Sequence, residues 1–413
     1  MNAQTLQDLF VSRQPILDRK EDLVGYELSL LPKCDDRCGQ DRAQVATLVC
    51  AAYSEFGMSG ALGLNRAYLP VDPISIHDAA IESLPADGVV LELDFPPHTA
   101  PDERTLERCR KLRERAYLLA LTDYDGLDER TRPLLTLVDV VKIDVGRHDE
   151  SGMVGLAGSL SRLPVQLLAQ NVDSRESLER CQKIGFHLFQ GNFFADTEIV
   201  SGRRLSSSQA SLIRLINLAG RDTDTDELEK GFKHEPALAV NLLRLVNSAG
   251  YGLTRQIGSL RHAITLLGRR KLQRWLQLLL MTPEGRNPNL GRSVLLQVAA
   301  LRGRMMEMLV DALAPRNNVL ADQAFITGIM SMMPTALGLP LDEIIAQISL
   351  EPDITRALIS HEGILGQTLA LLEYFDAEDA ENCDAVLSSL GLDRAHLNIC
   401  LVESLRWVNS AVE

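Results

Sequence analysis

Residues 234–268, HEPALAVNLLRLVNSAGYGLTRQIGSLRHAITLLG, decide how the second half of the chain reads. Pro236 suits a first helical position, where its missing N–H costs nothing, and Leu238, Leu242, Leu245 and Val246 then fall on one face at helical spacing. Gly250 and Gly252 stop that helix. Ser259 can cap a second one carrying Leu260, Ala263, Ile264 and Leu267 on its buried stripe, and Gly268 offers a left-handed exit. The pattern by itself describes a helical hairpin.

Outward from this hairpin the helical period continues. Residues 209–220 carry Leu212, Leu215, Ile216 and Ala219, and 271–281 carry Leu272, Trp275, Leu276 and Leu279. A Pro/Gly/Asn-rich loop at 283–291 precedes further helical stretches at 292–313, 321–333, 341–347, 352–359, 363–375, 380–390 and 394–411. Before residue 200 the rhythm differs: short apolar runs alternate with amphipathic stretches such as 41–56, 102–115 and 174–184, the last capped by Ser174. Strands are expected at 22–30, 61–65, 88–93, 117–122, 138–143, 164–169 and 186–189. Seven or eight such units in ~200 residues favour a closed (β/α)8 barrel over an open sheet. Polar residues at 196–208, including Ser201 to Arg204, mark the join, so a barrel domain over 1–200 and an all-helical domain over 201–413 are expected.

Composition narrows the function. The 413 residues hold 42 Lys and Arg against 56 Asp and Glu, a net charge of −14, which argues against a general nucleic-acid or anionic-membrane binder. Arg269, Arg270 and Lys271 form only a local basic spot. No secretory leader or membrane span is legible, so a cytoplasmic location is expected. The seven cysteines are scattered. Only Cys34 and Cys38 lie close together, without partners that would complete a zinc site.

Polar residues recur at the expected strand ends: Glu27, Asn65, Glu92, Asp123, Lys142 and Asp144. In a barrel they would converge on one face, where carboxylates, an amide and a lysine could hold divalent metal and a phosphate ester. Strand ends that simply meet solvent would read the same way.

Two resemblances sharpen this. Glu-Pro-Ala-Leu at 235–238, Leu-Leu-Arg-Leu-Val-Asn-Ser-Ala at 242–249, Ser-Leu-Arg-His-Ala-Ile at 259–264 and Leu-Leu-Gly at 266–268 resemble the HDOD signature, with Pro236, Asn247, Ser248 and Gly268 as its landmarks. That family comprises helical domains of bacterial signalling proteins, related to HD phosphohydrolases but without their metal ligands. In HD enzymes a helix supplies His-Asp to the metal. The corresponding run here, Ile329 to Pro334, offers serine and methionine, which are poor ligands for hard cations and fit core packing better. Over residues 8–200 the chain looks like an EAL domain, through Gln14-Pro15-Ile16, Gly25-Tyr26-Glu27, Leu64-Asn65, Leu91-Glu92-Leu93, Leu121 to Tyr124, Lys142-Ile143-Asp144, Ala169 to Asp173 and Gln190-Gly191. Active members hydrolyse cyclic di-GMP with two metal ions.

The resemblance implies a pocket of Glu27, Asn65, Glu92, Asp123, Lys142, Asp144 and Gln190. It equally implies three losses. Leu31 stands where the family has the arginine that grips phosphate, Thr122 where it has a metal-binding aspartate, and Gln170 where it has a glutamate of the metal-and-water network. The expectation is therefore a degenerate, non-catalytic signalling protein working through protein partners, with no cofactor or at most a weak Mg²⁺ or Mn²⁺ site. The losses weaken the case for cyclic di-GMP binding. A sensor that binds without turnover and a residual phosphodiesterase stay open as alternatives, as do homo-oligomerisation and the partner's identity.

Overall fold

The computed structural model describes residues 10–31, 53, 58–95, 100–126, 129–193, 206–220, 224–247, 257–281 and 294–410. Eight strands close a barrel in chain order: β1 (Phe10–Asp18), β2 (Leu23–Leu31), β3 (Arg66–Val71), β4 (Val89–Leu93), β5 (Leu118–Leu121), β6 (Val140–Asp144), β7 (Gln166–Gln170) and β8 (Leu188–Gln190). β1 runs antiparallel to both its neighbours, β2 and β8, and the remaining pairs are parallel. The expected barrel is thus present. Two details depart from expectation. β1 is an additional strand, hidden in the sequence because Arg13, Gln14 and Pro15 interrupt its apolar pattern. The strand expected at 61–65 is instead the end of a helix, Met58–Leu62, followed by Gly63 at φ +58°, so that β3 begins only at Arg66.

The barrel interior is filled by Ile16, Tyr68, Val90, Ala120, Val140, Leu168 and Leu188, one residue from each of seven strands. Gly25 stands for β2, because a Cβ there would lie 2.7 Å from the Arg66 carbonyl and 3.0 Å from the Tyr68 ring. Side chains along a strand alternate between faces, so the residue two positions nearer the mouth on each strand also points inward. Those residues are Gln14, Glu27, Pro70, Glu92, Thr122, Lys142, Gln170 and Gln190. An apolar layer is therefore followed directly by a polar one, and only Pro70 breaks it.

Helices outside the barrel are capped as their sequences suggest. Asp102 accepts from the Thr105 N–H at 2.8 Å to start Glu103–Glu114, and Ser174 accepts from the Ser177 N–H at 3.2 Å to start Arg175–Ile184. From residue 206 on, every described element is a helix, from Ser207–Gly220 to Arg394–Ser410. None of the described helices is long and apolar enough to cross a membrane.

Contacts group the chain into two compact units. One comprises Met1–Asp196, Asn289–Gln297 and Ala370–Glu413, and the other Thr197–Pro288 and Val298–Leu369. The join expected near residue 200 coincides with the first boundary, yet a single division there is not what the contacts give. Residues 370–413 group with the barrel for a hydrogen-bonding reason. β8 pairs only with Ile16–Asp18, so among the described residues the upper part of β1 has no ladder partner on that side. The Val11 N–H donates instead to Oδ1 of the fully buried Asn398 at 3.1 Å, and the Ser12 hydroxyl donates to Glu378 Oε1 at 2.6 Å. Asn409 likewise donates to the Ala61 carbonyl.

Within the second unit the hairpin of the signature takes its expected form. Pro236 opens the helix Pro236–Val246, and Ser259 accepts from the His262 N–H at 3.2 Å to cap Leu260–Leu267. Gly268 has φ +76° with ψ 157°, so it is an extended positive-φ junction rather than a left-handed helical turn, and Arg269–Leu280 starts immediately after it. Asn247 closes the first helix: its Nδ2 donates to the Leu243 and Ile257 carbonyls at 2.8 and 2.9 Å, and its Oδ1 accepts from the Ile257 N–H at 2.7 Å. Ser248, Gly250, Gly252, Cys34, Cys38, Ser201 to Arg204, most of the 41–56 stretch and the 283–291 loop lie outside the described residues. Asn247→Ala removes three hydrogen bonds around a part-buried turn and is expected to destabilise the protein by about 1–3 kcal/mol, read as a lower urea midpoint at unchanged slope.

Candidate functional site

The polar layer at the mouth is organised by one lysine. Lys142 on β6 is fully buried, and its Nζ donates to Glu92 Oε1 on β4 at 2.5 Å and to Glu27 Oε2 on β2. Gln190 on β8 donates from one nitrogen, Nε2, to Glu27 Oε2 and Gln14 Oε1, both at 2.6 Å. Two acceptors facing that atom fix the amide's orientation. The other end of Gln190, its Oε1, is buried without a partner, as is Oε1 of Gln170.

Charge is distributed unevenly over this cluster. Burial opposes the Lys142 ammonium, but the two carboxylates beside it outweigh that and raise its pKa, so it stays protonated. Burial also works against Glu27, yet the ammonium and the Gln190 amide hold its carboxyl below the usual range. Glu92 goes the other way: burial first, and repulsion from Glu27 second, push it up to about 7 despite Lys142. The two carboxylates share one cation and differ in solvent access, 2% exposed for Glu92 against 26% for Glu27.

Other expected residues occupy the rim or lie elsewhere. Asp144 accepts from the Gly146 N–H at 2.9 Å and meets Arg147 Nε at 3.0 Å, while Asp123, at φ +51°, lies 3.4 Å from Arg147 Nη1. Thr122 donates its hydroxyl proton to the Leu93 carbonyl at 3.2 Å, so its oxygen is tied to the strand edge. Asn65 is a correction. It precedes β3, and because Gly25 pairs with Arg66 and Glu27 with Tyr68, it lies toward the opposite end of the barrel from the mouth. The β3 residue paired with Glu92 is Pro70, which brings no side-chain donor or acceptor. Leu31 pairs with Phe10 at the far end of the β1–β2 ribbon, four residues beyond Glu27. Among the described residues no group of three or more His, Cys, Asp or Glu is placed to hold a metal ion.

Gln14, Pro70 and Arg147 were not singled out as pocket residues from the sequence. Gln14 and Pro70 follow from the two-residue period once the strands are placed. Arg147 carries no motif at all. In the helical region, Ile329, Met330 and Met333 are buried, and the Ser331 hydroxyl donates to the Gly328 carbonyl while accepting from Arg302 at 3.0 Å, as core packing requires. Arg270 of the basic spot pairs with Asp322 at 2.7 Å, which places it in an ion network with Arg274 and Glu307.

Residues 205–334 match the HDOD domain family. Along almost its whole length the chain is similar to two bacterial proteins. One is the uncharacterized Bacillus subtilis protein YuxH, 25% identical over 98% of this chain and 99% of that one. The other is the Vibrio cholerae cyclic di-GMP phosphodiesterase CdgJ, 26% identical over 98% and 93%. Among solved structures, the Bacillus subtilis YkuI protein, with an EAL domain, in complex with cyclic di-GMP and calcium, matches at 16% identity over 64% of this chain and 73% of that one, with a TM-score of 0.40. A standalone Vibrio cholerae EAL protein in its cyclic di-GMP-bound form matches at 18% over 46% and 92%, with a TM-score of 0.36.

The raised Glu92 carboxyl has a thermodynamic consequence. It binds a proton more tightly in the folded than in the unfolded chain, so folding takes up a proton between its ordinary value of 4.5 and about 7. Its contribution to stability is complete below that window, falls as pH rises through it, and is constant above. Glu27, shifted downward, acts only below 4.5. The native protein is therefore expected to lose stability between roughly pH 5 and 7 and Glu92→Gln to abolish that fall, measured as the difference between their urea-midpoint profiles.

Proposed function

We propose that this chain is a non-catalytic signalling protein of cyclic di-GMP networks that acts through protein contacts of its barrel and HDOD regions. Its similarity to a protein named as a cyclic di-GMP phosphodiesterase supports the network. The observation that carries the absence of catalysis is the neutral polar layer around Glu27 and Glu92, in which Pro70 pairs with Glu92 and the hydroxyl of Thr122 is tied to the Leu93 carbonyl. An ammonium already lies between the two inward carboxylates, Glu27 and Glu92, and satisfies both. A divalent ion there would have to bind beside a fixed positive charge, with few anionic oxygens to offset it.

The rest of the polar layer does not supply them. Pro70, Thr122 and Gln170 are neutral, and the two aspartates of the rim, Asp123 and Asp144, face Arg147. The residues present do not fit a two-metal centre, which would need carboxylates on both sides of an activated water. Leu31 adds the loss of a phosphate-gripping charge. Positioning and charge stabilisation supply most of the rate in phosphoryl transfer, so these losses act on separate requirements of the reaction.

Residual cyclic di-GMP hydrolysis is the second reading, favoured by the name of that same relative. Purified protein with Mg²⁺ or Mn²⁺ is expected to form no linear dinucleotide. Thr122→Asp with Gln170→Glu should raise metal affinity without restoring turnover. Adding Leu31→Arg should improve on that double variant by about tenfold to a hundredfold, the rate equivalent of a charge-assisted contact of about 1.5–3 kcal/mol. The reading fails if native protein forms linear dinucleotide in a metal-dependent manner that Glu27→Ala abolishes. Calorimetry with cyclic di-GMP separates a binding sensor from a chain that does not bind it.

A further inference from the structure

We propose that a cavity beside the barrel binds a small phosphate monoester through the guanidinium of Arg162. The cavity has a volume of about 340 Å³ and lies between the 3-10 helix Glu129–Thr136, which follows β5, and the α-helix Glu150–Leu160, which follows β6. Sites for small ligands span about 300–1,000 Å³, so this one suits a compact guest. None of its lining residues belongs to the polar layer at the mouth. The proposal therefore stands whether or not the barrel is catalytic.

The walls of the cavity are fixed by the fold. The Tyr124 N–H donates to the Lys142 carbonyl at 3.2 Å, which ties the chain leaving β5 to β6. Gly126 follows at φ +73°, where a Cβ would lie 2.3 Å from Leu156 Cδ2, so the chain closes on the helix here only as glycine. From the other side Arg113 donates to the Thr136 carbonyl at 3.1 Å. Past the end of the helix Glu150–Leu160, the Leu163 N–H donates to the Leu160 carbonyl at 2.9 Å, a turn that brings Arg162 to the cavity. Leu135 and Leu160, 7% and 2% exposed, give it an apolar floor. Arg132, Thr136, Ser159 and Arg162 at its rim are exposed, so it is open to solvent.

The lining carries one sign of charge. Arg132 and Arg162 are its two charged side chains, and among the described residues that line it there is no carboxylate. Arg162 has no ion pair or hydrogen bond among the described residues, so its five N–H donors are available to a guest. The hydroxyl protons are committed: Ser159 donates to the Leu156 carbonyl at 2.7 Å and Thr136 to the Pro133 carbonyl at 3.1 Å. A helix end opposes an anion through its free carbonyls, but that of Gly158 takes the Ser161 hydroxyl at 2.7 Å and that of Leu160 takes the Leu163 N–H. A fitting guest brings acceptors and negative charge to the rim and an apolar body to the leucines. Two guanidiniums match a dianion best, and a phosphate monoester carries about −1.5 to −2 at neutral pH where a carboxylate or a phosphodiester carries a single charge. The net charge of −14 works against long polyanions, which leaves a small ester as the class that fits.

The test is calorimetry on the full chain with phenyl phosphate, its singly charged diester methyl phenyl phosphate, and inorganic phosphate. Phenyl phosphate is expected to bind at least about tenfold more tightly than either of the others, a difference of roughly 1.4 kcal/mol. Arg162→Gln should weaken phenyl phosphate by a similar factor at an unchanged melting temperature, because that side chain is exposed and holds no partner among the described residues. Arg162→Lys should keep part of the affinity. No heat from phenyl phosphate, equal affinity for monoester and diester, or indifference to Arg162→Gln in a folded protein would overturn the proposal. Inorganic phosphate binding as tightly as phenyl phosphate would overturn it too, since the apolar floor would then play no part.

Discussion

An ammonium group buried at the centre of a barrel is tolerable only when its charge is matched, and Lys142 is matched twice. Moving such a charge out of water costs several kcal/mol, which Coulomb attraction recovers only with close, well-directed partners. Glu27 and Glu92 come from strands on the same side of the barrel as each other and reach Lys142 across its interior, so the contact ties β2, β4 and β6 together above the apolar layer. Gln190 donates to the same oxygen of Glu27 that Lys142 contacts, and links β8 and β1 through Gln14. Five of the eight strands are thereby joined by one hydrogen-bonded cluster. Removing Lys142 would take the cation from both carboxylates at once.

The same cluster defines what the mouth can recognise. Its positive charge is spent internally. The residues that set the chemistry of the layer are single positions: Pro70 on β3, Thr122 just past β5 and Gln170 on β7. None of them disturbs the backbone that holds the site. Fold and binding preference can part company in this way because they are specified by different positions on the same strands.

The barrel was legible in the sequence because strand and helix periods differ, and the helical region because caps such as Ser259 and junctions such as Gly268 stand at helix ends. The carboxylates Glu27 and Glu92 and Lys142 were legible through their motifs. Asn65 was misplaced for a local reason: Leu64 continues an apolar run that belongs to a helix and a glycine turn, so the strand appeared five residues early. The role of residues 370–413 was not legible at all. Nothing in the sequence around Asn398 or Glu378 indicates that their partners are Val11 and Ser12, since such pairings are set by which edge of β1 remains unfilled after the barrel closes.

That last pairing has a consequence in time. Val11 and Asn398 are 387 residues apart, close to the greatest separation this chain allows. At the rates at which ribosomes extend a chain, Asn398 is made roughly 20–80 s after Val11. Among the described residues, β8 covers only Ile16–Asp18 on the side of β1 away from β2, and an uncovered strand edge is where chains join one another wrongly. Until Asn398 is made, the Val11 N–H lacks the acceptor it has in the folded chain.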